Sequence, residues 1–147
     1  MADHTADELE IRTLVARYAD CVIRNDPEGW ATTWAEEGEW EVLGRTNRGR
    51  AAVTEHLEKL LAGLDFVAQI ASGGIIEFGT EGSATGRWTI TEYGAYKGGQ
   101  PLFTLGLYKD DYVRREGEWQ FLRRAFHGIY LGPPDLSGTF NPPPEGY

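Results

Sequence analysis

Four side chains of this sequence have the types that acid–base chemistry requires: Tyr18, Asp26, Arg124 and His127. Asp26 stands before Pro27 in "RYADCVIRNDPEGWATTW", and an Asp-Pro pair is typical of the point where a helix begins. The same carboxylate could also face a pocket, because capping a helix does not prevent it. There it could act as a general acid or base within hydrogen-bond reach of a substrate.

The other three side chains each have a structural and a chemical interpretation. Tyr18 is either a core tyrosine or a hydroxyl that donates to a substrate oxygen. Arg124, if buried, needs an anionic partner, which could be Asp26, a substrate oxygen or a structural ion-pair carboxylate. His127 is the only histidine on a predicted strand, so chemistry favours it as a base. Strand alternation turns it away from the side of Arg124 unless a bulge at Gly128 re-aims it.

Three helices are predicted in the first half of the chain. The first follows from apolar residues at the spacing of an amphipathic helix, namely Ile11, Leu14, Val15, Tyr18 and Val22. A short second helix follows Asp26 and is expected to carry Trp30 and Trp34 one turn apart. "EEGEWEVLG" then reads as a strand, and a third helix covers about residues 49 to 62, with Gly63 as its C-terminal stop.

The second half of the chain is predicted to be β-sheet. Four long runs, "FVAQIASGGIIEF", "SATGRWTITEYGAY", "PLFTLGLYKDDYVRR" and "EWQFLRRAFHGIYL", are separated by turn signals and should pair as an antiparallel meander. Helices first and strands after predict an α+β domain, with the three helices on one face of a curved antiparallel sheet. Such a sheet and its helices enclose a cone that could hold a ligand. The domain covers residues 1–131, and the Pro- and Gly-rich residues 132–147 form a tail.

Alternate residues of these strands, with one helix residue, are predicted to line the cone. They are Trp34, Trp40, Val67, Gln69, Trp88, Ile90, Thr104, Tyr108 and Phe126. Each aromatic residue among them could equally fill an ordinary core. Their number favours a flat, small hydrophobic ligand.

Composition excludes several classes of partner. The net charge of −9 argues against nucleic acid and against acidic membrane surfaces, because both need a basic face. The three histidines are far apart and no metal-ligand spacing occurs, so no metal site is predicted. The chain has no apolar run that could span a membrane and no secretory signal pattern. A cytoplasmic protein that forms a homodimer or homotrimer is expected.

Several segments, in this order, carry a family resemblance. They are "RYADCVIRNDPEGWATTWAEEGEWE", "GRAAVTEHL", "ATGRW" and "DDYVRREGEWQFLRR". The sequence from about residue 6 to 131 resembles the NTF2-like superfamily, specifically its SnoaL-like branch. The resemblance implies a cone-shaped α+β barrel and, in many members, dehydratase, dehydrochlorinase, isomerase or cyclase activity without a cofactor. It also implies a non-catalytic alternative, a ligand-binding or assembly module such as the small subunit of a ring-hydroxylating dioxygenase.

The resemblance also suggests roles for individual residues. Tyr18 and Asp26 match a tyrosine and an aspartate used by several lyases of this branch, with Asp20 a less favoured match for the aspartate. The strand position where those lyases carry a histidine base holds Gln69, and the resemblance turns Arg124 toward the pocket. The resulting hypothesis is a cofactor-independent lyase or isomerase, most favourably a dehydratase or hydratase, acting on a small hydrophobic cyclic or aromatic substrate.

Overall fold

The computed structural model describes residues 3–146, so Met1, Ala2 and Tyr147 of the predicted domain and tail lie outside the described residues. The helices are α1 (Thr5–Ile23), α2 (Pro27–Ala31) and α3 (Arg50–Ala62). The strands are β1 (Trp34–Val42), β2 (Arg45–Arg48), β3 (Leu64–Phe78), β4 (Ser83–Tyr96), β5 (Pro101–Arg115) and β6 (Glu118–Gly132). The predicted α+β fold class is confirmed, with three helices preceding the long strands.

The helices begin and end where local chemistry favours it. The Asp26 carboxylate accepts a hydrogen bond of 2.9 Å from the Gly29 N–H and caps α2, and Pro27 occupies its first turn. Gly63 caps the C-terminus of α3. The predicted apolar stripe of α1 is buried throughout. Placing Trp34 on the second helix was wrong: Trp34 begins β1, where it pairs with Phe121 of β6, so sheet pairing decides its conformation.

The six strands form one curved, unclosed mixed sheet in the order β2-β1-β6-β5-β4-β3. Strands β3 to β6 pair antiparallel in sequence order, as the turn signals predict. The sequence did not indicate the short strand β2, nor that β1 runs parallel to β6. The helices cover one face of the sheet, which is called the inner face below.

Tight turns join the antiparallel strands. Glu116 and Gly117, between β5 and β6, both have positive φ, at 51° and 84°. This is the conformation of the two-residue hairpin turn whose twist matches that of the flanking strands. Glycine reaches it without strain, so Gly117 suits the second position of this turn.

Two irregularities in β6 change which side chains face inward. The pairing with β5 shifts register between Asp111 and Tyr112, which leaves Leu122 as an extra residue, and shifts again at Ile129. Trp119 and Phe121 are therefore buried on the same inner face as Arg124. Strict alternation along β6 would turn Trp119 and Phe121 away from the side of Arg124, but the extra residue Leu122 interrupts that alternation.

The tail beyond β6 has no helix or strand within residues 133–146 and runs along β6. The Tyr130 hydroxyl donates to the Pro133 carbonyl at 2.6 Å and accepts from the Gly138 N–H at 3.1 Å. The Asn141 N–H donates to the Ile129 carbonyl at 2.7 Å. The Phe140 ring packs 5.0 Å from that of Tyr130. These contacts hold the tail against the last strand.

Candidate functional site

A cavity of about 420 Å³ lies between α1, α3 and the inner face of the sheet. Small-molecule sites commonly have volumes of roughly 300–1,000 Å³, so one or two rings would fit. Leucine, valine and aromatic side chains from every strand except β2, and from α1 and α3, form most of its wall. A few side chains with polar groups interrupt this apolar surface: Tyr18, Gln69, Glu92, Tyr96, Thr104, Tyr108 and His127.

Glu92 is the most unusual member of the wall. Of the described residues that line the cavity, it alone carries a carboxyl group. It pairs across the sheet with Gln69 on β3 and Thr104 on β5, so three polar side chains form one row. Desolvation raises the pKa of Glu92, and a hydrogen bond of 3.3 Å from the Gln69 amide opposes this only in part. A carboxyl group whose pKa is raised by burial is better suited both to accept and to return a proton than an exposed carboxylate is.

Two tyrosine hydroxyls meet in the same cavity. The Tyr18 and Tyr108 oxygens are 3.3 Å apart, and the Trp40 indole N–H donates to the Tyr108 oxygen at 3.2 Å. Burial raises the pKa of Tyr18 well above its ordinary value and that of Tyr108 to about 12, and the charge of Glu92 adds to both shifts. Both phenols are therefore protonated at neutral pH and available as hydrogen-bond donors. Glu92, Tyr18 and Tyr108 all line the same cavity.

Arg124 lies behind this tyrosine pair and is fully buried. Its guanidinium donates to both Asp110 oxygens, from Nε at 2.8 Å and from Nη2 at 3.0 Å. The Tyr112 hydroxyl donates to the same carboxylate at 2.7 Å, and the Trp88 indole N–H donates to Tyr112 at 2.8 Å. Burial alone would lower the pKa of Arg124, but the charge and hydrogen bonds of Asp110, together with the nearby Tyr18 and Tyr108, outweigh this and the pKa is raised. The anionic partner of Arg124 is thus Asp110 and not Asp26.

The structure brings eight of the thirteen predicted site residues to the cavity and leaves five elsewhere. Those on the cavity wall are Tyr18, Trp40, Val67, Gln69, Thr104, Tyr108, Phe126 and His127. Those outside the wall are Asp26, Trp34, Trp88, Ile90 and Arg124.

Asp26 and Trp34 lie outside the wall because each has another place in the fold. One Asp26 oxygen caps α2, and the other lies 4.0 Å from the buried thiol sulfur of Cys21. Trp34 is fully buried among aromatic rings, with its ring centre 5.5 Å from those of Trp30 and Phe121. Neither side chain reaches the ligand space, so the predicted contribution of Asp26 to the cone has no support in the geometry.

Trp88 and Ile90 face inward as predicted but lie under α1. The guanidinium of Arg12, on α1, lies 5.7 Å from the centre of the Trp88 ring, and Ile90 is completely buried. Strand alternation continues from these two residues to Glu92, which does reach the cavity. The sequence pattern that selected Trp88 and Ile90 could therefore have identified Glu92, two positions further along β4.

His127 reaches the cavity wall but its imidazole also holds the tail. The Nε2 atom lies 3.0 Å from the Asn141 carbonyl oxygen, and His127 pairs with Leu107 on β5. Its neighbours Phe126 and Gly128 also line the cavity.

No group of three His, Cys, Asp or Glu side chains within residues 3–146 is placed to hold a metal ion. In the same range, no helix combines the length and the apolarity needed to cross a membrane.

Several solved structures of other proteins have the same fold as this chain. A putative scytalone dehydratase from Novosphingobium aromaticivorans aligns at 22% identity with a TM-score of 0.82, covering 94% of this chain and 93% of the other. A hexachlorocyclohexane dehydrochlorinase, LinA-type3 from Novosphingobium barchaimii, aligns at 22% identity with a TM-score of 0.81, covering 95% and 96%. A protein of unknown function from Mycobacterium tuberculosis is 27% identical, with a TM-score of 0.76 and coverage of 84% and 72%.

No curated protein matches this sequence. The family model described as "SnoaL-like domain", in contrast, matches residues 3–125, which is most of the chain. The resemblance found in the sequence is thereby confirmed. This chain belongs to the SnoaL-like domain family.

Proposed function

We propose that this protein is a cofactor-independent lyase or isomerase that moves a proton on a small, largely apolar cyclic or aromatic substrate. Dehydration, or hydration in the reverse direction, is the reaction we favour within that class. The observation that carries the proposal is Glu92, a carboxyl group with a raised pKa in an apolar cavity that also holds the Tyr18–Tyr108 pair. The names of two fold neighbours, a dehydratase and a dehydrochlorinase, denote eliminations and so agree with this class.

Glu92 is the proposed acid–base catalyst. As a carboxylate it accepts the proton from the carbon next to a substrate carbonyl. The electrons of the broken C–H bond form a new C=C bond, and the C–O bond to a hydroxyl on the next carbon breaks. That hydroxyl takes the proton from Glu92 and leaves as water, which returns Glu92 to the carboxylate. Isomerisation would use the same first step and return the proton to a different carbon.

The tyrosine pair is proposed to stabilise the negative charge that develops on the carbonyl oxygen. Neutral phenols in a low-dielectric cavity are strong donors, and their positions are fixed before the reaction begins. Trp40 holds Tyr108 by its indole N–H, and the Arg124 guanidinium lies against the faces of both phenol rings. In this proposal Tyr18 keeps the role expected from the sequence, donation to a substrate oxygen. Glu92 replaces Asp26 as the residue that transfers the proton. Arg124 acts from behind the rings and does not touch the substrate.

Isotope exchange tests the proposal without knowledge of the natural substrate. The purified protein would be incubated in D₂O with cyclohexanone, a hydroxycyclohexanone and a benzo-fused cyclohexanone, and loss of the proton signal next to the carbonyl followed by NMR. We expect the protein to accelerate exchange, and Glu92→Gln to reduce that acceleration by about 100-fold or more. The matched control is Glu41→Gln, which removes a partly exposed carboxylate paired with Arg123 on the same sheet.

Two results would contradict the proposal: exchange at the same rate with Glu92→Gln as with the unaltered protein, or no acceleration with any of the three ketones. The second result would favour a non-catalytic ligand-binding or assembly module. One observation already favours that alternative, since Gln69 occupies the β3 position where a histidine base was expected. The small hydrophobic ligand, the cytoplasmic location and the homodimer or homotrimer remain part of the proposal in either case.

A further inference from the structure

The Gln69 amide is only half satisfied. Its nitrogen donates to a Glu92 oxygen at 3.3 Å, and this contact fixes which end of the amide faces the carboxylate. The amide oxygen is buried and has no hydrogen-bond partner among the described residues. Gln69 is 6% exposed and lines the cavity. Buried carbonyl oxygens in native proteins nearly always have a partner, so this acceptor is available to a donor on a ligand.

The tyrosine pair, in contrast, has a hydrogen-bond donor without an acceptor. Tyr18 and Tyr108 carry two hydroxyl protons, and the hydrogen bond between them uses one. Trp40 donates to Tyr108 and so accepts none. Whichever tyrosine is the donor, one hydroxyl proton remains, and neither hydroxyl bonds to another described residue. The cavity therefore presents one unused acceptor at Gln69 and one unused donor at the tyrosine pair.

We propose that Gln69 is a specificity residue whose amide oxygen accepts a hydrogen bond from a hydroxyl group of the ligand. A ring compound with a hydroxyl at this end and a carbonyl oxygen at the tyrosine pair satisfies both unused groups. A halogenated or purely hydrocarbon ring leaves both unsatisfied and is selected against. This substrate class rests on the proposed function and deepens it, because Gln69 is bonded to Glu92 and so places the ligand hydroxyl beside the proton that Glu92 carries.

The test measures binding alone, using three cyclohexanones that differ only at the carbon γ to the carbonyl, from which a hydroxyl cannot leave by the proposed elimination. One carries a hydroxyl there, one a methoxy group, which accepts but cannot donate, and one a chlorine. Dissociation constants would be measured by titration calorimetry with the unaltered protein. We expect the hydroxyl compound to bind about tenfold more tightly than the other two, since a hydroxyl that satisfies a buried acceptor is discriminated strongly. Equal affinities for the three compounds would overturn the proposal.

A substitution at Gln69 tests whether this residue causes the preference for the hydroxyl compound. Gln69→Met keeps the length of the side chain and removes its carbonyl, so the tenfold preference for the hydroxyl compound should disappear while affinity for the chloro compound stays the same. Gln120→Met makes the same substitution on β6 outside the cavity wall and should keep the preference. Retention of the preference in Gln69→Met would contradict the assignment. If that variant does not fold, the affinities of the unaltered protein for the three compounds still decide whether the ligand hydroxyl is recognised.

Because no turnover is measured, the outcome separates the two proposals. Selective binding of the hydroxyl compound together with no exchange activity would uphold the role of Gln69 and remove the catalytic function. Exchange that depends on Glu92, together with equal affinities for the three compounds, would uphold the catalytic function and remove the role of Gln69.

Discussion

The guanidinium carbon of Arg124 lies 3.9 Å from the ring centre of Tyr108, so a buried cation supports the face of a phenol whose hydroxyl lines the cavity. The rings of Tyr18 and Phe121 contact the same guanidinium, at 4.4 and 4.2 Å. Cations attract the faces of aromatic rings, most strongly where both are removed from water. The ion pair with Asp110 therefore both neutralises Arg124 and holds it where the tyrosine pair needs support.

Asp110→Asn is expected to lower the free energy of unfolding by about 3–5 kcal/mol. The substitution keeps the shape of the side chain but leaves the Arg124 charge buried without its counter-charge. Urea denaturation would measure the change. The matched control is Glu55→Gln, which removes an exposed ion pair with Lys59 and should leave the denaturation midpoint unchanged. A midpoint unaltered by Asp110→Asn would show that the buried pair does not stabilise the fold.

The stability of the protein should depend on pH through Glu92. Its pKa in the folded protein is raised above the ordinary value of 4.5, so its favourable contribution is complete below that value and is lost as pH rises through the folded pKa. Glu92→Gln replaces the carboxyl group with a neutral amide, so the variant does not lose this stability as pH rises. We expect the difference in unfolding free energy between the variant and the unaltered protein to shift in favour of the variant as pH rises from about 4 to about 8.

Glu55→Gln serves as the control. Glu55 is exposed on α3 and pairs with Lys59 in water, so its removal should leave the unfolding free energy nearly unchanged at every pH in this range. A pH-independent difference for Glu92→Gln in urea titrations would mean that Glu92 is as well solvated in the folded as in the unfolded chain.

Substitutions at Asp26 should affect stability and leave proton exchange unchanged. Asp26→Asn keeps an oxygen for the Gly29 N–H, so stability should stay nearly constant. Asp26→Ala loses the cap and should cost about 1 kcal/mol in urea denaturation. Both variants should retain exchange activity toward the ketones, because Asp26 lies outside the cavity wall. Loss of activity in Asp26→Asn with stability intact would restore the role that the sequence suggested for this carboxylate.

Gly106→Ala should disturb the cavity more than the same change at its cross-strand partner Gly128. A Cβ at Gly106 would lie 2.4 Å from two ring atoms of Phe126 and 2.8 Å from the His127 carbonyl oxygen. Displacing that ring is expected to cost about 1–3 kcal/mol in unfolding free energy. At Gly128 the nearest atom is 3.6 Å away, an ordinary contact, so Gly128→Ala should be tolerated. Equal effects in thermal or urea denaturation would contradict this packing argument.

The sequence predicted the fold well because its signals are local. Period-3.6 apolar spacing, the Asp26–Pro27 cap and the turn residues each act over a few positions, and the helices and four long strands followed from them. The parallel pairing of β1 with β6 was missed, because the two strands are far apart in the chain and no local pattern encodes their contact. The short strand β2 was missed although it directly follows β1, because its four residues, Arg45–Arg48, are all polar and show no apolar alternation.

The site was harder to predict because it depends on register. Arg124 was expected to need an anion, but an unbroken hairpin through Glu116–Gly117 would pair Asp110 with Arg123. Only the extra residue Leu122 shifts Arg124 opposite Asp110. Glu92 was available from alternation along β4, yet a glutamate on a strand normally indicates a solvent-exposed face. Its place in the cavity depends on where α1 stops covering the sheet.

The pairing of β1 with β6 has a consequence for synthesis of the chain on the ribosome. Trp34 is synthesised well before its partner Phe121. Until then, the aromatic residues of the first third have no strand to pack on, and their apolar surfaces stay open to chaperones and to other nascent chains. Closure of the structure must therefore wait until β5 and β6 have been synthesised and have paired.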